Sequence, residues 1–259
     1  MPKNEVRNIG LFVDFENIVR GIEGGKTRGP DDGGFDIRLV LDRLLEKGNV
    51  VVKKAYCDWT RFKTYKEPLH DAAFELIEIP KKRNNSKNSA DICMVVDIMD
   101  MAFTKAHIDT FCLLTGDSDF SPLVSKLREN NRNVIGCGVK MTVSAHLADN
   151  CDEFLYYEDL VKDRALRAKR QKKVKLAHPE DEEAFSYVTD AIDALALDGH
   201  EKIWGSMVKQ MIKRKFPQFS EASYDFATFS ELLEEVARAG LVSLERDPKS
   251  GGYLVDRNA

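Results

Sequence analysis

Thr115-Gly116-Asp117-Ser118-Asp119-Phe120 is the stretch that decides the reading of this chain. Before it runs Thr110-Phe111-Cys112-Leu113-Leu114, apolar and of strand length. After it, Pro122-Leu123-Val124-Ser125-Lys126-Leu127 reads as the start of a helix. Asp117 and Asp119 therefore stand at the carboxyl end of a buried strand, where open α/β sheets bind ligands. Two like charges so close are unfavourable unless a proton or a cation intervenes. The pattern points to a metal, and through the metal to phosphate chemistry.

Working outward, residues 1–160 alternate strands and helices. Short apolar runs at Ile9–Val13, Val50–Cys57, Glu75–Ile79, Thr110–Thr115, Asn133–Gly138 and Glu153–Tyr156 predict strands. Helical spacing predicts helices at Phe35–Lys47, Lys66–Phe74, Ala90–Lys105 and Ser121–Asn130, and Gly48 acts as a stop signal. Lys81–Ser89 is polar and basic and reads as a loop. Strands separated by helices argue for a parallel α/β sheet with helices on both faces. Right-handed crossovers then put every strand's carboxyl end on one edge.

That edge gathers acids. The first strand ends in Val13-Asp14-Phe15-Glu16-Asn17, and Asp91 opens the Ala90–Lys105 helix. Asp14, Asp91, Asp117 and Asp119 can thus converge from three separate parts of the chain. An all-oxygen environment of this kind suits a hard cation such as Mg2+ or Mn2+. Each acid also has a structural reading. Asp91 can serve the helix macrodipole, Asp119 can cap the following helix, and Asp14 can close an Asx-turn. Asp97 lies about 240° around the helix from Asp91 and ranks second. Asp58, with Trp59 and Arg61, reads as substrate surface only. There is no Gly-x-Ser-x-Gly elbow, P-loop or dinucleotide fingerprint.

Composition bounds the rest. At 259 residues, 32% charged and 43% hydrophobic, the chain reads as a soluble protein of one large or two ordinary domains. No apolar run approaches the roughly 18–20 residues of a membrane span. The N-terminus lacks the apolar core of a secretory signal. The five cysteines have no zinc or CxxC spacing and read as reduced thiols in a cytoplasmic protein. The net charge of −4 hides a segregation: residues 161–178 carry eight Lys and Arg against one acid. Such a block either contacts a polyanion or is a solvated linker helix balancing its acidic neighbours. Beyond it, Glu183–Leu197, Ser206–Lys215 and Phe229–Ala239 read as helices. A hairpin of Leu241–Glu245 and Gly252–Val255 follows them, the pattern of a winged helix.

Phe12-Val13-Asp14-Phe15-Glu16-Asn17, Ser89-Ala90-Asp91 through Asp97, and Leu114-Thr115-Gly116-Asp117-Ser118-Asp119-Phe120 resemble an NYN domain, the PIN-like group related to LabA-type proteins. Val134-Ile135-Gly136 and the Leu147–Phe154 stretch also fit. The resemblance covers residues 9–160 and implies a PIN-like fold, a parallel sheet flanked by helices. It also implies a metal-dependent ribonuclease site, with Asp14, Asp91, Asp117 and Asp119 as catalytic, metal-holding acids and Asn17 as a polar helper. The glycine-rich Gly24–Gly34 stretch departs from the family pattern and reads as a flap beside the substrate entry. Asp117-Ser118-Asp119 is also faintly similar to the aspartate pair of haloacid-dehalogenase-type phosphatases. Those place the pair on the first strand, whereas here it follows the fourth. Residues 180–256, through Trp204–Phe219, Tyr224 and Phe229–Glu234, resemble an OST-HTH/LOTUS domain, which implies RNA binding.

The expected organisation is an NYN/PIN-like domain over 1–160, a basic helical linker over 161–179 and a small OST-HTH/LOTUS winged-helix domain over 180–259. The expected function is a Mg2+- or Mn2+-dependent ribonuclease, endonuclease before exonuclease. Lys81, Lys82, Arg83 and Lys87 would attract RNA beside Asp91, and Lys209, Lys213, Arg214 and Lys215 would do so on the second domain. The partners implied are RNA, single-stranded or structured, a helicase or other RNA-processing protein, and a second copy of the chain as a homodimer. No membrane is among them. The alternative is a non-catalytic RNA-binding or scaffolding protein with the same fold.

Overall fold

The computed structural model describes residues 7–24, 34–79, 89–171, 179–248 and 250–258. The chain divides into two units, Met1–Leu44 with Gly48–Arg164, and Leu45–Lys47 with Ala165–Ala259.

Along residues 7–171 the order is β1 (Arg7–Asp14), α1 (Phe15–Gly24), α2 (Ile37–Lys47), β2 (Gly48–Cys57), α3 (Lys66–Asp71), β3 (Glu75–Glu78), α4 (Ser89–Thr104), β4 (Thr110–Leu114), α5 (Ser121–Glu129), β5 (Asn133–Gly138), α6 (Ala145–Asn150), β6 (Glu153–Tyr156) and α7 (Tyr157–Gln171). The six strands pair in parallel as β3-β2-β1-β4-β5-β6. The strand order reverses between β1 and β4, so the crevice at their carboxyl ends is the switch point of the sheet.

Side chains alternate across the sheet with period two. Ile9, Leu11 and Val13 of β1 and Cys112 and Leu114 of β4 pack in one core with α1 and α2. Phe12, Phe111 and Leu113 point the other way and pack against α4, α5 and Leu147 of α6. Both faces are thereby covered, as a parallel sheet requires. Gly48 has to be glycine: a Cβ there would lie 2.4 Å from the carbonyl oxygen of Arg7 on the neighbouring strand. The five cysteines are free thiols. No helix among the described residues is long and apolar enough to cross a membrane.

The structure differs from the sequence reading at two points and adds an element it left unread. The helix over Lys66–Phe74 stops at Asp71, because Ala73 turns into the left-handed region (φ 57°) and the Phe74 amide closes on Leu69 O at 2.9 Å. The chain after Asp14 is a helix, α1, with Phe15, Ile18, Val19 and Ile22 buried along one face. The turn after β4 is capped by Asp117 rather than Asp119, with the Asp119 amide donating to Asp117 Oδ1 at 3.0 Å. Of the glycine-rich stretch read as a flap, residues 25–33 lie outside the described residues.

The second unit contains α8 (Pro179–Leu197), α9 (Gly205–Lys215), α10 (Phe229–Arg238), β7 (Val242–Arg246) and β8 (Tyr253–Arg257). The two strands pair antiparallel. Val188, Ile192, Val208, Met211, Leu232 and Val236 form its core. Thr228 caps α10, its hydroxyl accepting from the Glu231 amide at 3.2 Å, while Glu231 Oε2 accepts from the Ala227 amide at 2.8 Å. Phe219 is buried and stacks on Tyr224, as expected of core aromatics.

Candidate active site

The carboxyl ends of β1 and β4 carry the site. Phe15 turns inward against Trp59, Phe62 and Tyr65. That fixes the start of α1 and leaves Asp14, Glu16 and Asn17 on a cleft of about 420 Å³. Asp117 and Asp119 border the same cleft from the turn after β4, and Asp91 reaches it from the first turn of α4. The four acids and Asn17 picked out in the sequence are therefore neighbours around one crevice.

Hydrogen bonds tie the two strand ends together. Asn17 Oδ1 accepts from the Gly116 amide at 2.9 Å, and Asp14 Oδ1 accepts from the Asn17 amide at 3.4 Å. The buried Thr115 hydroxyl donates to Asp14 Oδ2 at 3.1 Å and accepts from the Asp117 amide at 3.3 Å. Asp14 thus caps the start of α1 rather than closing an Asx-turn, and still offers its carboxylate to the cleft.

The electrostatics are strained in the direction a cation relieves. Asp14 is 8% exposed. Burial first, and then the charges of Asp91 and Asp117, push its carboxyl up to about 7 against the bonds from Asn17 and Thr115. Asp91 is also raised, by burial and then by Asp117, Asp119 and Glu16. Carboxylates that oppose one another's ionisation form a hard, all-oxygen donor set, so their chemistry fits Mg2+ or Mn2+. Among the described residues, no three His, Cys, Asp or Glu side chains are already drawn together closely enough to hold an ion.

Glu16 and Thr115 were missed by the sequence reading. Glu16 lines the cleft and pairs with Arg20 and with Arg61, the latter at 3.1 Å. Its signal was the alternation Asp14-x-Glu16 across an inward Phe15. Thr115 gave no signal, since its bond to Asp14 depends on the pairing of β1 with β4. Asp97 is turned away from the cleft: its carboxylate accepts from Lys54 Nζ at 3.0 Å and from the Tyr56 hydroxyl at 2.8 Å. Asp58 borders the cleft, but Trp59 is core, its indole N–H donating to Ile77 O at 3.1 Å. Trp59 is therefore not substrate surface.

The basic residues are less assembled. Lys81, Lys82, Arg83 and Lys87 lie outside the described residues. Lys209 pairs with Glu221 at 2.6 Å and lies over the Phe229 ring. Lys213 donates to the Phe219 carbonyl, and Arg214 and Lys215 are half-buried.

The chain is similar to an uncharacterized protein from Methanocaldococcus jannaschii, 26% identical over 165 residues, which are 63% of this chain. It spans 61% of the length of that relative. The fold is similar to the crystal structure of a protein of unknown function from Vibrio parahaemolyticus, with a TM-score of 0.53 and 23% identity. That likeness covers 62% of this chain and 99% of the other. Residues 8–158, more than half of the chain, match the NYN domain, and the chain belongs to the NYN family.

Proposed function

We propose that this protein is a Mg2+- or Mn2+-dependent ribonuclease whose acids Asp14, Asp91, Asp117 and Asp119 hold the cation, an endonuclease before an exonuclease. NYN domains are typically metal-dependent nucleases. The observation that carries the reading is that all four acids border one crevice at the switch point, with the Asp14 carboxyl raised by burial and by its acidic neighbours.

In this reading each residue has a task. Thr115 and Asn17 orient the Asp14 carboxylate, and Asn17 holds Gly116 so that β4 delivers Asp117 beside it. Asp117 shapes its turn through the Asp119 amide and so aims Asp119 into the cleft. Arg20 and Arg61 keep Glu16 paired and bring cations to the rim. Without added positive charge the acids repel a phosphate backbone. A bound divalent cation supplies that charge, polarises the phosphodiester and acidifies water.

The second unit supports an RNA-holding role. Three helices followed by an antiparallel hairpin fit a winged helix of the OST-HTH/LOTUS kind, and Lys209 and Lys213 lie on its second helix. RNA is the partner this reading assigns, with a helicase or other RNA-processing protein as a second.

The absence of a ready three-ligand group among the described residues favours one other reading, a non-catalytic RNA-binding protein. An RNA degradation assay with Mn2+ or Mg2+ separates the two. The ribonuclease reading expects cleavage that stops in chelator and falls at least about a hundredfold in Asp117→Asn. Undiminished RNA affinity with no cleavage by the wild-type chain favours the other.

A further inference from the structure

The outer face of α4 has no task in the proposed mechanism and the wrong composition for solvent. Seven large apolar side chains stand exposed among the described residues, and three of them lie on this helix: Ile92, Val96 and Phe103, at 62, 60 and 64% exposure. Met99, partly exposed, completes the row. The spacing 92, 96, 99, 103 follows one face of a helix. On the opposite side, Met94 and Ile98 are buried against the sheet. A surface helix ordinarily turns charge outward, whereas one that is apolar on every side is covered on every side. The row exposes a few hundred Å² of apolar surface, the size at which a patch on a monomer is often functional.

Three observations point to what covers it. The intervals along the row are four, three and four residues, the same read from either end. An antiparallel second copy of α4 therefore meets the row layer for layer, Ile92 on Phe103 and Val96 on Met99, each pair twice, as in a coiled-coil seam. Charge agrees with this direction. Asp91 stands in the first turn of α4, and the exposed Lys105 follows its last residue. Antiparallel copies set Lys105 of one chain level with Ala90 of the other, beside Asp91, and they oppose the two macrodipoles. The segment running into α4 offers no cover of its own: Pro80-Lys81-Lys82-Arg83-Asn84-Asn85-Ser86-Lys87-Asn88 holds no large apolar side chain.

We propose that α4 is a homodimer interface, packed antiparallel on the α4 of a second copy of this chain. The seam reaches the rim of the acid cleft, because Ala90 and Asp91 line that cleft. The two clefts of the dimer then stand at opposite ends of the seam, about 20 Å apart along it at the helical rise per residue. The interface stands with or without cleavage activity.

Sedimentation equilibrium of the full chain at micromolar concentrations tests it. The wild type should sediment at twice the 29.3 kDa of one chain. Val96→Glu and Met99→Lys should each weaken the dimer at least about a hundredfold, because each leaves an unpaired charge in the seam. Both should keep the wild-type circular dichroism, since Val96 is exposed and Met99 partly exposed in the single chain. The double variant Val96→Glu/Met99→Lys sets glutamate against lysine across an antiparallel seam, so it should dimerise more tightly than either single variant. In a parallel seam each new charge would face its own like. A wild-type monomer, its row covered by another protein or by nothing, overturns the proposal. So does a dimer that Val96→Glu leaves intact, or a double variant no more dimeric than the single ones.

Discussion

The Thr115 hydroxyl donates to Asp14 Oδ2 at 3.1 Å, joining the residue after β4 to the end of β1 through two buried side chains. The bond holds a carboxylate whose ionisation the fold opposes. Replacing Thr115 by valine removes the donor and should raise the Asp14 carboxyl further above 7. The acidic limb of the metal-dependent rate should then move to higher pH. The lost bond should cost about 1–3 kcal/mol of stability. A pH–rate profile with an unmoved acidic limb would contradict this role for Thr115.

Asp14 itself makes the metal-free fold less stable as pH rises. Its carboxyl goes from the ordinary 3.8 to about 7 on folding, so between those values the folded state binds more protons than the unfolded one. Stability is then full below about 4 and is lost progressively up to about 7. At roughly 1.4 kcal/mol per pH unit, the loss has a ceiling of about 4 kcal/mol. Urea unfolding in chelator should show this slope for the wild type, and Asp14→Asn should flatten it. Equal slopes in the two proteins would count against the raised carboxyl.

Asp97 should behave as a structural acid. Its carboxylate anchors α4 to β2 through Lys54 and Tyr56, on the same helix that carries Asp91 into the cleft. Asp97→Asn should lower stability by about 1.5–3 kcal/mol, the usual worth of hydrogen bonds to a charged group. It should leave the rise of Tm on adding Mn2+ in place. Loss of that rise would make Asp97 a metal ligand instead.

Gly116 should tolerate no side chain without loss of activity. An added Cβ would lie 3.0 Å from Thr142 O and 3.2 Å from the Val143 Cα, both backbone atoms. The Gly116 carbonyl also accepts from the Ser144 amide at 3.0 Å. Gly116→Ala should shift the turn carrying Asp117, cost about 1–3 kcal/mol and reduce cleavage about tenfold or more. Wild-type cleavage by this variant would show that the turn has room to move.

The acids were legible because a parallel sheet has only one ligand-binding edge, and strand ends can be read from apolar runs. Asp14, Asp117 and Asp119 needed nothing beyond that rule, and Asp91 needed also the reading of a helix start. Asp117 rather than Asp119 proved to be the cap, because two acids two residues apart can each cap the same turn and only backbone angles distinguish them. Thr115 could not be read, since its partner lies across a strand pairing with no local signature. The helix after Asp14 was hidden by the short segment before the glycines, although Phe15, Ile18, Val19 and Ile22 carry helical spacing.

The central claim is that these four acids share a divalent cation. Soaking crystals of the full chain in Mn2+ and measuring anomalous scattering tests it most directly. The account expects a peak within the cleft, in contact with Asp14, Asp91, Asp117 and Asp119, that is lost in Asp117→Asn. A cleft without a peak at saturating Mn2+, in crystals where the acids are free of lattice contacts, would contradict it.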